Sequence, residues 1–111
     1  MARNTNSGWS PGMAERQLRA YIEHADFDLS YTAHVRERMA ERGIVPDDIM
    51  HLFSHGHVTE QPEKANEPDC YKCKVCGRTP NSGSRRICAV VIPAAREPSV
   101  TVITVMWEDI R

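Results

Sequence analysis

Residues Ser30–Val58 read SYTAHVRERMAERGIVPDDIMHLFSHGHV, and this stretch decides the fold. Val35 and Met39, then Ile49, Leu52 and Phe53, recur at helical spacing, which predicts two short helices. Ser30 or Thr32 can cap the first, and Gly43 stands just past its end. Pro46 suits the first position of the second, Asp47 and Asp48 favour its positive N-terminus, and Gly56 follows its last turn. His57–Glu60 then reads as a strand. Along one side of the first helix lie His34, Arg38 and Arg42, at i, i+4 and i+8. That polar stripe is the leading functional signal in the chain.

Toward the N-terminus, Ser10-Pro11 is a good helix opening, and Ala14, Leu18, Tyr21, Ile22 and Ala25 form one apolar stripe. The pattern predicts an amphipathic helix of about 15 residues. Residues 1–10 read as a flexible tail and 11–111 as a single domain. Phe27-Asp28-Leu29 reads as a short extended link.

Toward the C-terminus, residues 61–69 contain Pro62 and Pro68 and read as a loop or sheet edge. Tyr71–Cys76 and Ile87–Ile92 read as strands joined by the turn-rich hairpin RTPNSGSR. After a turn at Pro93–Pro98, VTVITVMW at Val100–Trp107 is the strongest strand pattern present. Three helices followed by four strands predict an α+β fold, with N-terminal helices packed on a four-stranded antiparallel sheet. Both faces of the last two strands are apolar, with Val100, Val102 and Met106 alternating with Ile103, Val105 and Trp107. Such strands are expected to be covered on both sides, one by the helix pair and the other by the N-terminal helix or a second copy of the chain.

At 111 residues with 41% apolar and 26% charged content, the chain can build a modest core without metals or disulfides. A formal net charge of −1 supplies no global attraction to nucleic acid or membrane. The local distribution is uneven. Residues 60–69 carry four acids against Lys64, whereas residues 70–86 carry Lys72, Lys74, Arg78, Arg85 and Arg86 and no acid. A local basic patch of this kind is a candidate nucleic-acid-binding surface. No apolar run approaches the roughly 18–20 residues of a membrane span, and no secretory h-region opens the chain. The expected compartment is the cytoplasm, with the four cysteines mostly reduced.

The segment from about Phe27 to Trp107 resembles a bacterial domain-of-unknown-function family, number 4258. The resemblance rests on Thr32-Ala33-His34, Arg38-Met39, Glu41-Arg42-Gly43-Ile44, Asp48-Ile49, Gly56 with Val58, Gly77-Arg78 and the closing VITVMW. It implies likeness to the small RelE-like and MqsR-like toxins, two helices followed by an antiparallel sheet. Several members are thought to be ribonuclease-type toxins paired with an antitoxin, often one bearing a zinc finger. The chain departs from the pattern at Val35, where alanine is usual, at Val45-Pro46, in its cysteine-rich hairpin and in its extra N-terminal helix.

The residues can support that chemistry. A metal-free ribonuclease needs a base for the 2′-hydroxyl, a donor for the leaving oxygen and cations for the extra charge on the phosphate. His34 supplies the first and Arg38 the third, and Arg42 assists. With Thr32 as cap, His34 falls in the first turn, where the positive helix end favours a neutral imidazole. Lys72, Lys74, Arg78, Arg85 and Arg86 would hold the RNA backbone, and Tyr31 or Trp107 would stack a base. Each position also has a plainer reading. His34 can hydrogen-bond a neighbouring strand, Arg38 and Arg42 can pair with Glu37 and Glu41, and a lysine-rich hairpin can be a solvated face. His51, His55 and His57 have no clear third ligand, so no metal is expected there.

Cys70-x-x-Cys73-x-x-Cys76-Gly77 followed by Cys88 has the look of a zinc knuckle. On a strand, as the resemblance implies, residues alternate faces. Cys73 then points to the core while Cys70 and Cys76 point away, so the three do not converge. Pairing the hairpin about Ser82 sets Cys76 opposite Cys88, compatible with free thiols or a disulfide. The expectation is a toxin-like, metal-independent endoribonuclease without cofactor, with RNA and an antitoxin protein as partners, no membrane, and a homodimer as an option. The alternative is a catalytically silent protein- or RNA-binding module, zinc-stabilised through its cysteines in one version.

Overall fold

The computed structural model describes residues 8–83 and 85–108. Helix α1 spans Pro11–Ile22, strand β1 Asp28–Tyr31, helix α2 Ala33–Arg42 and helix α3 Pro46–His55. Strands β2 His57–Val58, β3 Glu63–Lys64, β4 Tyr71–Gly77, β5 Ile87–Pro93 and β6 Ser99–Trp107 follow. The fold is α+β.

The sheet corrects the four-stranded antiparallel expectation. It has six strands in the order β1-β6-β5-β4-β2, with β3 on the same edge of β4 as β2. The four expected strands are present as β2, β4, β5 and β6. The link expected at Phe27-Asp28-Leu29 falls in a fifth, Asp28–Tyr31, which runs parallel to β6 from Asp28↔Ser99 to Tyr31↔Val102. A parallel partner is available because the chain climbs through α2 and α3 before returning, a crossover no hairpin could provide. The sixth, β3, pairs Glu63 and Lys64 with Lys72 and Tyr71.

Helix punctuation acts as the sequence suggests. Gly43 takes φ 68° and stops α2, a conformation that favours glycine. Ser10 accepts a hydrogen bond from the Met13 amide at the start of α1. Helix α1 ends at Ile22, leaving Ala25 outside it. Trp9 is not a free tail residue. Its ring stacks on Tyr71 at 5.4 Å, and its carbonyl accepts from Gln61 Nε2 at 2.6 Å. The remainder of the expected tail, residues 1–7, lies outside the described residues.

One core joins Ala14 and Leu18 of α1, Val35 and Met39 of α2, and Ile49, Leu52 and Phe53 of α3 to Val75, Ile87, Ala89, Val91, Val100, Val102, Val105 and Trp107 of the sheet. Helix α1 is therefore on the same side as the other two. Its Arg19 donates from Nε to Ser54 O and from Nη2 to Gly56 O, holding the carbonyl end of α3 with a cation. Its Glu15 accepts from the Val58 amide. The second sheet face, expected to lie under α1 or a second copy, is not covered by α1, and in the single chain Val90, Ile92, Ile103 and Met106 stand half-exposed there.

The strict alternation expected along β6 fails at one point. Val90 pairs with Thr104 but Val91 pairs with Val102, so Ile103 is the extra residue of a β-bulge. Val100, Val102, Val105 and Trp107 all face the core, two on each side of the slip.

Candidate active site

Beyond Val102 the outer edge of β6 loses its partner strand, and α2 runs alongside it. The Thr32 amide donates to Val102 O at 3.2 Å, the last backbone bond before the helix. Arg42 Nη1 then reaches back to Val105 O at 2.6 Å, and the Trp107 indole N–H donates to Arg42 O at 3.1 Å. A guanidinium and an indole thus satisfy groups that an edge strand would otherwise leave to water.

This arrangement opens a pocket of about 180 Å³ lined by His34, Val35, Arg38 and Arg42 of α2 and by Ile103, Thr104 and Val105 of β6. Thr32 is the N-cap of α2, though its hydroxyl makes no capping bond, and His34 lies in the first turn. The structure therefore gathers the whole predicted stripe on one small hollow, with the bulge as its opposite wall. His34 and Arg38 are exposed, and Arg42 is half-buried. Among the described residues, His34 and Arg38 have no hydrogen-bond or ion-pair partner, and Arg42 bonds a backbone carbonyl rather than a carboxylate. The plainer readings, surface pairs with Glu37 and Glu41 and a strand-bonded imidazole, are not what the side chains do. An imidazole and a guanidinium stand one turn apart, both open to solvent.

A second hollow of about 350 Å³ adjoins the first through Ile103 and Thr104, and Lys72 and Lys74 line its far wall. These lysines belong to the predicted basic surface. Lys72 lies 3.8 Å from Glu63, and Lys74 lies 3.5 Å from Glu60. The acidic stretch before β4 folds back beside the basic strand. Exposed pairs of that length hold a cation only loosely. Arg86 binds Glu108 at 2.5 Å, Arg85 lies over the Trp107 ring at 4.0 Å, and Arg78 is exposed. Tyr31 and Trp107 are not free platforms. Arg36 covers Tyr31 at 5.4 Å, and Trp107 is 9% exposed beneath Arg85.

The cysteines divide as face alternation predicts. Cys73 lies in the helix-side core, where burial pushes its thiol up to about 12. Cys76 sits opposite Cys88, and the two are joined in a disulfide. The expectation of mostly reduced cysteines is corrected for this pair. Their Cα atoms are 4.1 Å apart, the close approach of a directly facing cross-strand pair.

One polar cluster escaped the sequence reading. Asp48 is buried and accepts from the Val45 amide at 2.9 Å, from Thr79 Oγ1 at 2.5 Å and from Asn81 Nδ2 at 2.9 Å. It ties the start of α3 to the β4–β5 loop. Its place in the first helical turn hinted at a capping role, but nothing local pointed to Thr79, 31 residues away.

No helix among the described residues is long and apolar enough to cross a membrane. A family model described as a domain of unknown function, DUF4258, matches residues 31–107, a span that starts in β1 and ends with β6. No curated protein and no solved structure matches the chain.

Proposed function

The chain belongs to the DUF4258 family, a domain of unknown function, and on that footing we propose that it is a toxin-like, metal-independent endoribonuclease. One observation carries the reading: His34 and Arg38 stand unpartnered among the described residues, side by side on the pocket that Arg42 also lines. In this mechanism His34 takes the proton of a ribose 2′-hydroxyl, and the freed oxygen attacks the adjacent phosphorus. The 5′-oxygen leaves with a proton from solvent. Arg38, helped by the N–H groups of Arg42 not spent on Val105, holds the extra negative charge. The products are a 2′,3′-cyclic phosphate and a 5′-hydroxyl end.

The same proposal takes the architecture as a relative of the RelE- and MqsR-like toxins, an antitoxin protein as partner and the cytoplasm as the site of action. Lys72 and Lys74, beyond Thr104, would exchange Glu63 and Glu60 for phosphate as the RNA extends across the second hollow. The test is cleavage of RNA by the purified chain in excess chelator, with end-group analysis. Cleavage yielding cyclic-phosphate ends, lost in His34→Ala and in Arg38→Ala, is the expected result. Intact RNA with the folded wild-type chain defeats the proposal.

A second reading is a silent binding module. It is favoured by Lys72 and Lys74, which line an open hollow and are held only by exposed pairs with Glu63 and Glu60. RNA binding that weakens steeply with salt, without cleavage, selects this reading.

A further inference from the structure

The disulfide does not stand alone on the open face. Cys76 faces Cys88 across β4 and β5, and the Glu108 amide bonds Arg86 O beyond the end of β6. That register sets Glu108 diagonal to Cys88 on the same face. The two sulfurs and a carboxylate oxygen of Glu108 all lie within 4.8 Å of one another, with Cys88 Sγ 3.8 Å from Glu108 Oε1. On the other side of β4, His57 is the residue directly opposite Cys76. Directly paired residues share a face, so a row of donors crosses three strands: His57, Cys76 and Cys88, with Glu108 at the corner.

The geometry points to a second state of this corner, in which the reduced chain binds one soft divalent cation through Cys76, Cys88, Glu108 and His57. Zinc has the chemistry this donor set fits. It takes thiolate at about 2.3 Å and imidazole or carboxylate at about 2.0–2.2 Å in a tetrahedron. Three of the four donors already stand close enough to converge by side-chain rotation alone. His57 must turn from Glu15, whose Oε2 lies 3.7 Å from Nδ1, and at 66% exposure it is free to turn. Arg86 holds the Glu108 oxygen that the cation needs, so the affinity falls below that of a four-thiolate site.

The chemistry balances without a hidden reagent. A phosphine reductant and water convert the disulfide to two thiols and a phosphine oxide. The cation then replaces the two thiol protons, which are released. Disulfide and cation are mutually exclusive occupants of one corner. The site shares no residue with the His34 pocket, so the nuclease proposal and this one stand or fall separately.

The test uses the full chain, reduced with a phosphine under argon until four thiols titrate in a denatured sample of it, and then Co²⁺. The expected result is one equivalent bound, with a thiolate-to-cobalt absorption band in the near ultraviolet that Zn²⁺ abolishes. Cys88→Ser removes the band. Glu108→Gln and His57→Ala, both at exposed positions where the fold is safe, each weaken Zn²⁺ binding by about tenfold or more. A folded, reduced chain that takes up no Co²⁺ overturns the proposal. So does a band that survives Cys88→Ser, or unchanged affinity in both exposed-site variants.

Discussion

The Nη1 of Arg42 lies 2.6 Å from the carbonyl oxygen of Val105, where the outer edge of β6 no longer has β1 beside it. Arg42 thus closes the sheet edge as well as lining the pocket, whereas Arg38, one turn earlier, does only the second. The two arginines should separate in experiment. Arg42→Ala is expected to cost about 1–2 kcal/mol of stability, because a half-buried carbonyl loses its donor. Arg38→Ala should change stability by no more than about 0.5 kcal/mol. Urea melts of both variants beside RNA-cleavage rates check the distinction: both variants lose cleavage, and only one melts early.

Asp48 is held by an amide, a hydroxyl and a side-chain amide, all neutral donors. Asp48→Ala should cost about 3 kcal/mol, since it strips the α3 start of its cap and leaves the buried Thr79 hydroxyl without an acceptor, while Asn81 keeps only the Gly43 carbonyl. Thr79→Val, which removes one donor, should cost about half as much. Equilibrium unfolding of the two variants gives the ratio.

At Gly56 the end of α3 passes close to β4. A Cβ built there would stand 2.6 Å from Leu52 O, 2.9 Å from Val75 Cγ2 and 3.0 Å from Cys76 O. Two of those three atoms are backbone and cannot swing away. Gly56→Ala should therefore destabilise by about 2 kcal/mol or more, whereas an alanine in an ordinary loop stabilises slightly. A thermal melt of the single variant is sufficient.

Cys73 contributes a pH dependence of known sign. Its thiol is raised to about 12 in the folded chain, while in the unfolded chain it ionises near its ordinary value of 9.0. Between those values the unfolded state holds fewer protons, so stability falls as pH rises. The contribution is fully present below about pH 9 and is lost as pH climbs toward 12. Urea midpoints at pH 8 and pH 10.5 should differ more for wild type than for Cys73→Ala. At pH 8 the folded chain should leave Cys73 unalkylated by iodoacetamide.

The helices were legible because their punctuation is local. Gly43, Pro46 and Gly56 each act on the turn they sit in, and the stripe of His34, Arg38 and Arg42 follows from helical spacing alone. The Cys76–Cys88 pairing was legible for a similar reason, since a short hairpin fixes its own register. Strand β1 was not, because four residues are too few to display alternation and its partner is Ser99–Val102, some seventy positions away. Nor was the bulge at Ile103. The run Val-Thr-Val-Ile-Thr-Val-Met-Trp alternates plausibly in either frame, and only the pairing with β5 shows where the frame slips. The pocket's second wall depended on that slip. From sequence, therefore, the candidate catalytic side chains could be named, but not the surface they face.

The family match begins at Tyr31, whereas Ala14 and Leu18 of α1 are wholly buried and Arg19 holds the last carbonyls of α3. Cutting the gene at the family boundary would therefore unroof part of the interior and strip β6 of most of its parallel neighbour. In this protein the recognisable segment is a fragment of the folding unit, and any shortened version made for the bench should keep everything from Trp9 onward.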